Sequence, residues 1–174
     1  LKPNLPTTIT LSRVILIPFF VIVTPNNPLL GALIFSIASL TDFLDGYLAR
    51  RTGQITKFGI ILDPIADKFL VISALILLVD MARLAAWIAI IIIVREFLVT
   101  GLRAVALSKD IVIPAEIGGK LKTISQIAAI LCLIIDVNIS GIDLYDAGIV
   151  LIWIALVLSI VSGVQYTVSF WKRV

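Results

Sequence analysis

Four aspartates fall within 26 residues of a chain that is otherwise strongly apolar: Asp42, Asp45, Asp63 and Asp67. The surrounding pattern is Asp42, Asp45-Gly46, Ala49-Arg50, eight residues, Gly59, Asp63 and Asp67, or DxxDGxxARx8GxxxDxxxD. Ionisable groups at membrane depth are costly and mark functional sites by default. If helical, Asp42, Asp45 and Ala49 lie at i, i+3 and i+7, and Gly59, Asp63 and Asp67 at i, i+4 and i+8, so each set shares one helix face. A turn at Thr52 to Thr56 then folds the two faces together into one cleft. Two carboxylates ~4 Å apart repel by about 4 kcal/mol at an effective dielectric near 20, so the cluster either shares protons or holds divalent cations. The chain contains no histidine and a single cysteine. Oxygen-only donors select Mg²⁺, Mn²⁺ or Ca²⁺ over zinc or copper, and four carboxylates on two rigid helices suit a two-metal site facing a phosphate or diphosphate.

Glycine costs ~1 kcal/mol relative to alanine inside a helix, which points at Gly46 and Gly59 to a closely approaching ligand or to close helix packing. Arg50 either clamps a phosphate or snorkels to the interface. Further along, Arg95, Val99 and Arg103 repeat at i, i+4 and i+8, Lys120 and Lys122 open a later apolar segment, and Lys57 sits beside the aspartates. Converging arginines and lysines opposite an aspartate cluster are the electrostatics of a phosphate pocket. The alternative is ion pairing inside the bundle, for example Arg95 with a neighbouring acid such as Glu96, with the lysines attracted to anionic lipid.

The elements that position these residues follow from composition. At 60% hydrophobic and 14% charged, with a mean hydropathy of +1.16, 174 residues cannot bury so much apolar surface internally, and lipid is expected as the solvent. Six apolar segments, 8–24, 28–50, 59–80, 84–108, 120–137 and 146–170, each have the length of a membrane-crossing helix. Breaks are expected at Pro25 to Pro28, Thr52 to Gln54, Asp80 to Arg83, Pro114 with Gly118-Gly119, and Asn138 to Gly148. The N-terminal KPNLPTTIT reads as an interfacial lead-in. With both termini cytoplasmic, that face takes Arg50, Arg51, Lys57, Lys109, Lys120, Lys122, Lys172 and Arg173. The opposite face keeps Arg83 beside Asp80, Asp136, Asp143 and Asp146, the positive-inside distribution. The expectation is an all-α integral membrane protein: one domain over residues 1–174, six spans and a cytoplasmic aspartate cleft. Cys132 reads as a buried small apolar residue, and Trp87, Trp153 and Trp171 as belt or packing residues. The net charge of +3, with its basic residues dispersed, argues against a nucleic-acid partner.

The pattern from Asp42 to Asp67 resembles the signature of the CDP-alcohol phosphatidyltransferase family, six-helix membrane enzymes that move a phosphatidyl group from a CDP-linked lipid to an alcohol. All eight of its fixed positions are present. The opening NLPTTITLSRVILIPFF, Arg95-Glu96-Phe97 through Thr100 to Arg103, and Gly119-Lys120-Leu121-Lys122-Thr123 are similar to the branch that makes phosphatidylglycerophosphate. The resemblance implies that Asp42, Asp45, Asp63 and Asp67 hold two Mg²⁺ or Mn²⁺ ions bridging the CDP diphosphate, with Asp67 also the general base. It implies that Gly46, Ala49, Arg50 and Gly59 line the CDP site, that the substrates are CDP-diacylglycerol and glycerol 3-phosphate, and that the enzyme is a homodimer in a bacterial-type plasma membrane. Arg95, Lys120, Arg103, Lys57 and Lys122 are the candidates for the acceptor phosphate. Asn4, Thr10 and Arg13 match the family-like N-terminus, where capping and anchoring explain them almost as well. The diacyl tails call for a cleft open to lipid. A sister enzyme with serine, inositol phosphate or phosphatidylglycerol as acceptor would share the aspartates and differ from Arg95 to Lys122, whereas a divalent-cation transporter would place its carboxylates near midplane in broken helices.

Overall fold

A computed structural model of the chain describes residues 5–52, 57–109, 117–139 and 141–172; within these, the side chains of 5–13, 42–52, 57–67, 107, 117, 139 and 142 are not described. Six helices run in order: α1 Leu5–Val23, α2 Pro28–Thr52, α3 Lys57–Asp80, α4 Ala86–Ser108, α5 Ile117–Ile135 and α6 Leu144–Trp171. Between α5 and α6 lies a two-residue antiparallel ladder, β1 Asn138–Ile139 with β2 Ile142–Asp143. Among the described residues the only strand pairing is at this tight turn, where Gly141 takes φ +85° and its N–H is accepted by Asn138 Oδ1 at 3.1 Å.

At four helix ends local chemistry supplies partners for unpaired backbone groups. Asn27 caps α2, its Oδ1 accepting from Leu30 N at 3.1 Å, with Pro28 at the first helical position where no N–H is needed. The α3 terminus closes as a Schellman motif: Ala82 N–H reaches Val79 O and Arg83 N–H reaches Leu78 O, with Ala82 at φ 56°. At the end of α5, Asp136 adopts φ 45° and its N–H returns to Cys132 O, the simpler left-handed cap. Asp143 caps α6 by accepting from Tyr145 N at 2.8 Å. Arg83 then ties two of these ends together, donating to Leu133 O at 3.0 Å and Ile134 O at 2.6 Å while pairing with Asp136 at 3.0 Å.

Helix α1 packs on α2 and α3, α5 on α2 and α6, and α4 on α3 and α6, with the α5–α6 pair the most extensive. Phe20, Phe35, Leu75, Leu78, Ile92, Ile130, Leu133 and Ile152 are fully buried at the centre. Small residues set the closest approaches. Gly31 lies against Thr24 across the α1–α2 turn, and a Cβ on Gly148 would stand 2.8 Å from Leu133 Cγ. Gly148, read from sequence as part of a break, is therefore inside α6, where its missing side chain lets α5 come near. Gly118 and Gly119 likewise belong to the first turn of α5, and the N-terminal lead-in is helical from Leu5 onward.

The outer surface is apolar on every helix. Ile22, Leu29, Ile76, Ile90, Ile124 and Val164, one from each, are more than half exposed. Soluble monomers rarely present apolar surface on all sides. Among the described residues, Gly118–Ile135 and Leu144–Trp171 are long and apolar enough to cross a membrane.

Candidate active site

The backbone places the aspartate motif on two helices. Asp42, Asp45, Gly46, Ala49 and Arg50 occupy the C-terminal half of α2; Lys57, Gly59, Asp63 and Asp67 occupy the N-terminal half of α3. Both halves are continuous helix, so the spacings i, i+3, i+7 and i, i+4, i+8 do mark one face each. The side chains of these nine residues, and the connecting residues 53–56, lie outside the described residues.

The next residue after Asp67 begins a charged centre whose four side chains are described. Lys68 on α3, Arg95 and Glu96 on α4 and Lys122 on α5 converge on the Glu96 carboxylate: Lys68 Nζ approaches Oε2 at 2.6 Å, Arg95 Nη1 approaches Oε1 at 3.0 Å, and Lys122 Nζ also bonds Oε1. Glu96 is 14% exposed and Lys122 only 5%. Three cations thus meet one carboxylate, leaving two positive charges uncompensated among the described residues. Removing charges from water costs several kcal/mol per ion and is offset only by good pairing, so such an excess is unfavourable unless something anionic is meant to bind.

A cavity of about 230 Å³ opens beside this centre, between α2, α3, α4 and α5. Its polar lining is Ser39, Lys68, Glu96, Lys122, Thr123 and Gln126; the remainder is aliphatic. Lys122 and Gln126 are one turn apart on α5, which brings both side chains to the same wall.

The remaining cations of the expected acceptor pocket are divided differently. Arg95 turns toward α6, where Nε donates to Ser159 O at 3.0 Å and Nη2 to Ser162 Oγ at 2.7 Å. Gly163 makes room for it, since a Cβ there would lie 3.1 Å from Arg95 Cγ. Arg103, two turns on, stacks over the Tyr166 ring at 5.8 Å, again against α6. Lys120 is exposed at the start of α5. The structure therefore brings Lys122 and Arg95 together through Glu96, with Lys122 alone of the two lining the cavity, and keeps Arg103 and Lys120 apart from it. Sequence reasoning overlooked Lys68 and Gln126. Lys68 carried a usable signal as a cation next to Asp67 in an apolar segment, and Gln126 as a polar residue one turn beyond Lys122.

Comparison with known proteins places this geometry. The chain is similar to the protein named CDP-diacylglycerol--glycerol-3-phosphate 3-phosphatidyltransferase from Bacillus subtilis (strain 168), at 40% identity over 97% of this chain and 96% of that one. Proteins of the same name from Rickettsia typhi (40%, 94% of each chain) and Haemophilus influenzae (42%, 95% of this chain and 92% of the relative) are similar to it as well. The model of one family, described as CDP-alcohol phosphatidyltransferase, matches residues 3–161, a stretch that takes in both halves of the aspartate motif and every residue of the charged cavity. The chain belongs to the CDP-alcohol phosphatidyltransferase family.

Proposed function

We propose that the chain transfers the phosphatidyl group of CDP-diacylglycerol to sn-glycerol 3-phosphate, giving phosphatidylglycerophosphate and CMP. The observation that carries this reading is the near full-length similarity to relatives whose shared name specifies that donor and that acceptor. The net positive charge of the cavity lining among the described residues, Lys68 and Lys122 against Glu96, supports it, because a phosphate monoester is close to a dianion at neutral pH.

The donor set of Asp42, Asp45, Asp63 and Asp67, all hard oxygen ligands, fits Mg²⁺ or Mn²⁺, and these four residues would hold the ions. When bound, such ions neutralise diphosphate charge and favour departure of CMP. Gly46, Ala49, Arg50 and Gly59 bind the CDP moiety. Asp67 takes the proton from the acceptor hydroxyl as its oxygen bonds to the phosphatidyl phosphorus and the bond from that phosphorus to the CMP oxygen breaks. With no histidine in the chain, a carboxylate is the natural base. Lys122, joined by Lys68, holds the acceptor phosphate as a charge-assisted partner, while Arg95 fixes Glu96 and α6 around them. Six spans with both termini cytoplasmic, as a homodimer with the diacyl tails in lipid, complete the reading.

The test is CMP release by the purified chain in lipid micelles with CDP-diacylglycerol and Mg²⁺. Glycerol 3-phosphate is compared with serine, inositol phosphate and phosphatidylglycerol. Preference for glycerol 3-phosphate and loss of at least ~10²-fold in kcat for Asp67→Asn are expected. Preference for another acceptor would overturn the assignment of substrate, and full activity of the variant would remove Asp67 from the role of base.

A further inference from the structure

Gln126 is the most conspicuous polar group that the reaction described above leaves unused. It is 2% exposed, it lines the cavity, and its Nε2 has no hydrogen-bond partner among the described residues. Buried side-chain amides nearly always find a partner, since an unmet donor forfeits its hydration without return. The described walls supply none: Leu75, Ile93 and Ile127 are aliphatic, the Glu96 carboxylate is taken by Lys68, Arg95 and Lys122, and Ser39 and Thr123, the other polar groups of the lining, make no hydrogen bond to Nε2. The missing acceptor must come from whatever occupies the cavity.

The charges say what kind of occupant that is. Arg95 directs Nε and Nη2 to Ser159 O and Ser162 Oγ on α6 and does not line the cavity, so the positive groups that face the cavity among the described residues are Lys68 and Lys122. An anion drawn between those two ammonium groups comes within one helical turn of Gln126 on the same wall of α5. Ammonium groups are point charges that fix a phosphate without fixing its orientation, whereas an amide N–H donates along one direction.

We propose that Gln126 is a direct contact of the acceptor substrate, its side-chain amide donating to an oxygen of a small polyol phosphate held by Lys68 and Lys122. This rests on the transferase reading and deepens it, since it assigns a residue that selects the acceptor without touching the CDP-lipid. A site built to hydrogen-bond its substrate discriminates strongly once that donor is removed. A purely structural glutamine behaves in the opposite way: exchanging it for an apolar side chain of similar size would cost stability and leave the acceptor's KM alone.

The experiment uses the full chain in lipid micelles with CDP-diacylglycerol and Mg²⁺, and compares wild type with Gln126→Leu and Gln126→Glu, the second keeping the side-chain shape without the donor. Both variants should raise the KM for glycerol 3-phosphate about tenfold or more while the KM for CDP-diacylglycerol stays within about twofold. Without substrate, Gln126→Leu should melt no lower than wild type, because an apolar side chain satisfies an apolar wall. An unchanged KM for glycerol 3-phosphate, or equal rises in both KM values, would overturn the proposal. If wild type works on a different acceptor, the assignment of glycerol 3-phosphate falls, and Gln126 is judged by the same comparison with that acceptor. If wild type releases no CMP at all, thermal stabilisation by glycerol 3-phosphate and by inorganic phosphate decides. Stabilisation of wild type that Gln126→Leu abolishes supports the contact, and equal or absent stabilisation refutes it.

Discussion

Glu96→Gln tests the electrostatic account of the bundle most directly. The carboxylate is the one anion among the described residues that meets Lys68, Arg95 and Lys122, and all four side chains are at least 79% buried. The glutamine keeps the shape and can still accept one hydrogen bond, but it leaves three cations facing one another in an apolar setting. Breaking a buried pair by removing one partner costs roughly 3–5 kcal/mol, because the surviving charge is uncompensated. For a chain of this length each kcal/mol moves the midpoint by roughly 2–4 °C, so a fall in Tm of about 6–20 °C is expected. The single cysteine, Cys132, is half-buried and gives a reporter: its labelling by a fluorescent maleimide during a thermal ramp in detergent follows unfolding. Inorganic phosphate should raise the Tm of Glu96→Gln more than that of wild type, since the added anion takes the place of the lost carboxylate. Glu96→Asp, one methylene shorter, cannot reach both lysines at once and should fall between the two. A Glu96→Gln protein that melts within about 2 °C of wild type would refute the reasoning, because the lysines would then be held by something other than Glu96.

Two further substitutions test the packing and the caps. Gly148→Ala pushes a Cβ to 2.8 Å from Leu133 Cγ and 3.1 Å from Leu133 N, backbone that cannot move aside, and should cost about 1–3 kcal/mol in the same thermal assay. Gly101→Ala on α4, with nothing within 4 Å, is its control and should be neutral or gain up to ~1 kcal/mol from helix propensity; equal effects at the two sites would refute the close-approach argument. Ala82→Gly removes the Cβ from a left-handed residue at φ 56° and should stabilise the α3 terminus by about 1 kcal/mol, whereas a loss of stability would show that the Schellman closure is not under strain.

The helices were legible because an apolar run of membrane length has few other solutions; the reading of six segments differs from the six helices by a few residues at each end. The errors fall on glycine. Gly118, Gly119 and Gly148 read as breaks because glycine is permissive for turns, yet Gly148 is helical and matters only for the Cβ it lacks, a role set by Leu133 on another helix. The candidate site was legible to the same depth. The spacing of Arg95 and Arg103 correctly placed both on one face of α4, but nothing in that spacing says what the face meets, and it meets Ser159, Ser162 and Tyr166 of α6. Lys68 went unread because Asp67 beside it absorbed the interpretation. Gln126 was invisible because its significance is the absence of a partner, which only packing reveals.

The charge count at Glu96 explains why an ion cluster stands where apolar residues would be more stable. Replacing a buried ion network with well-packed apolar side chains is often neutral or stabilising, so the cluster is not there for stability. Without the carboxylate, three cations would repel one another and spread. With a second carboxylate, the cavity would approach neutrality and lose its attraction for a phosphate. A single glutamate holds two lysines from different helices in register and, with Arg95 counted, leaves two positive charges among the described residues, the number that a phosphate monoester dianion cancels. Lys68 follows Asp67 directly on α3, so the wall proposed to hold the acceptor's phosphate and the carboxylate proposed to take its proton are carried by consecutive residues of one helix. On that proposal acceptor binding and acceptor activation are coupled through the backbone of α3, which fixes their separation.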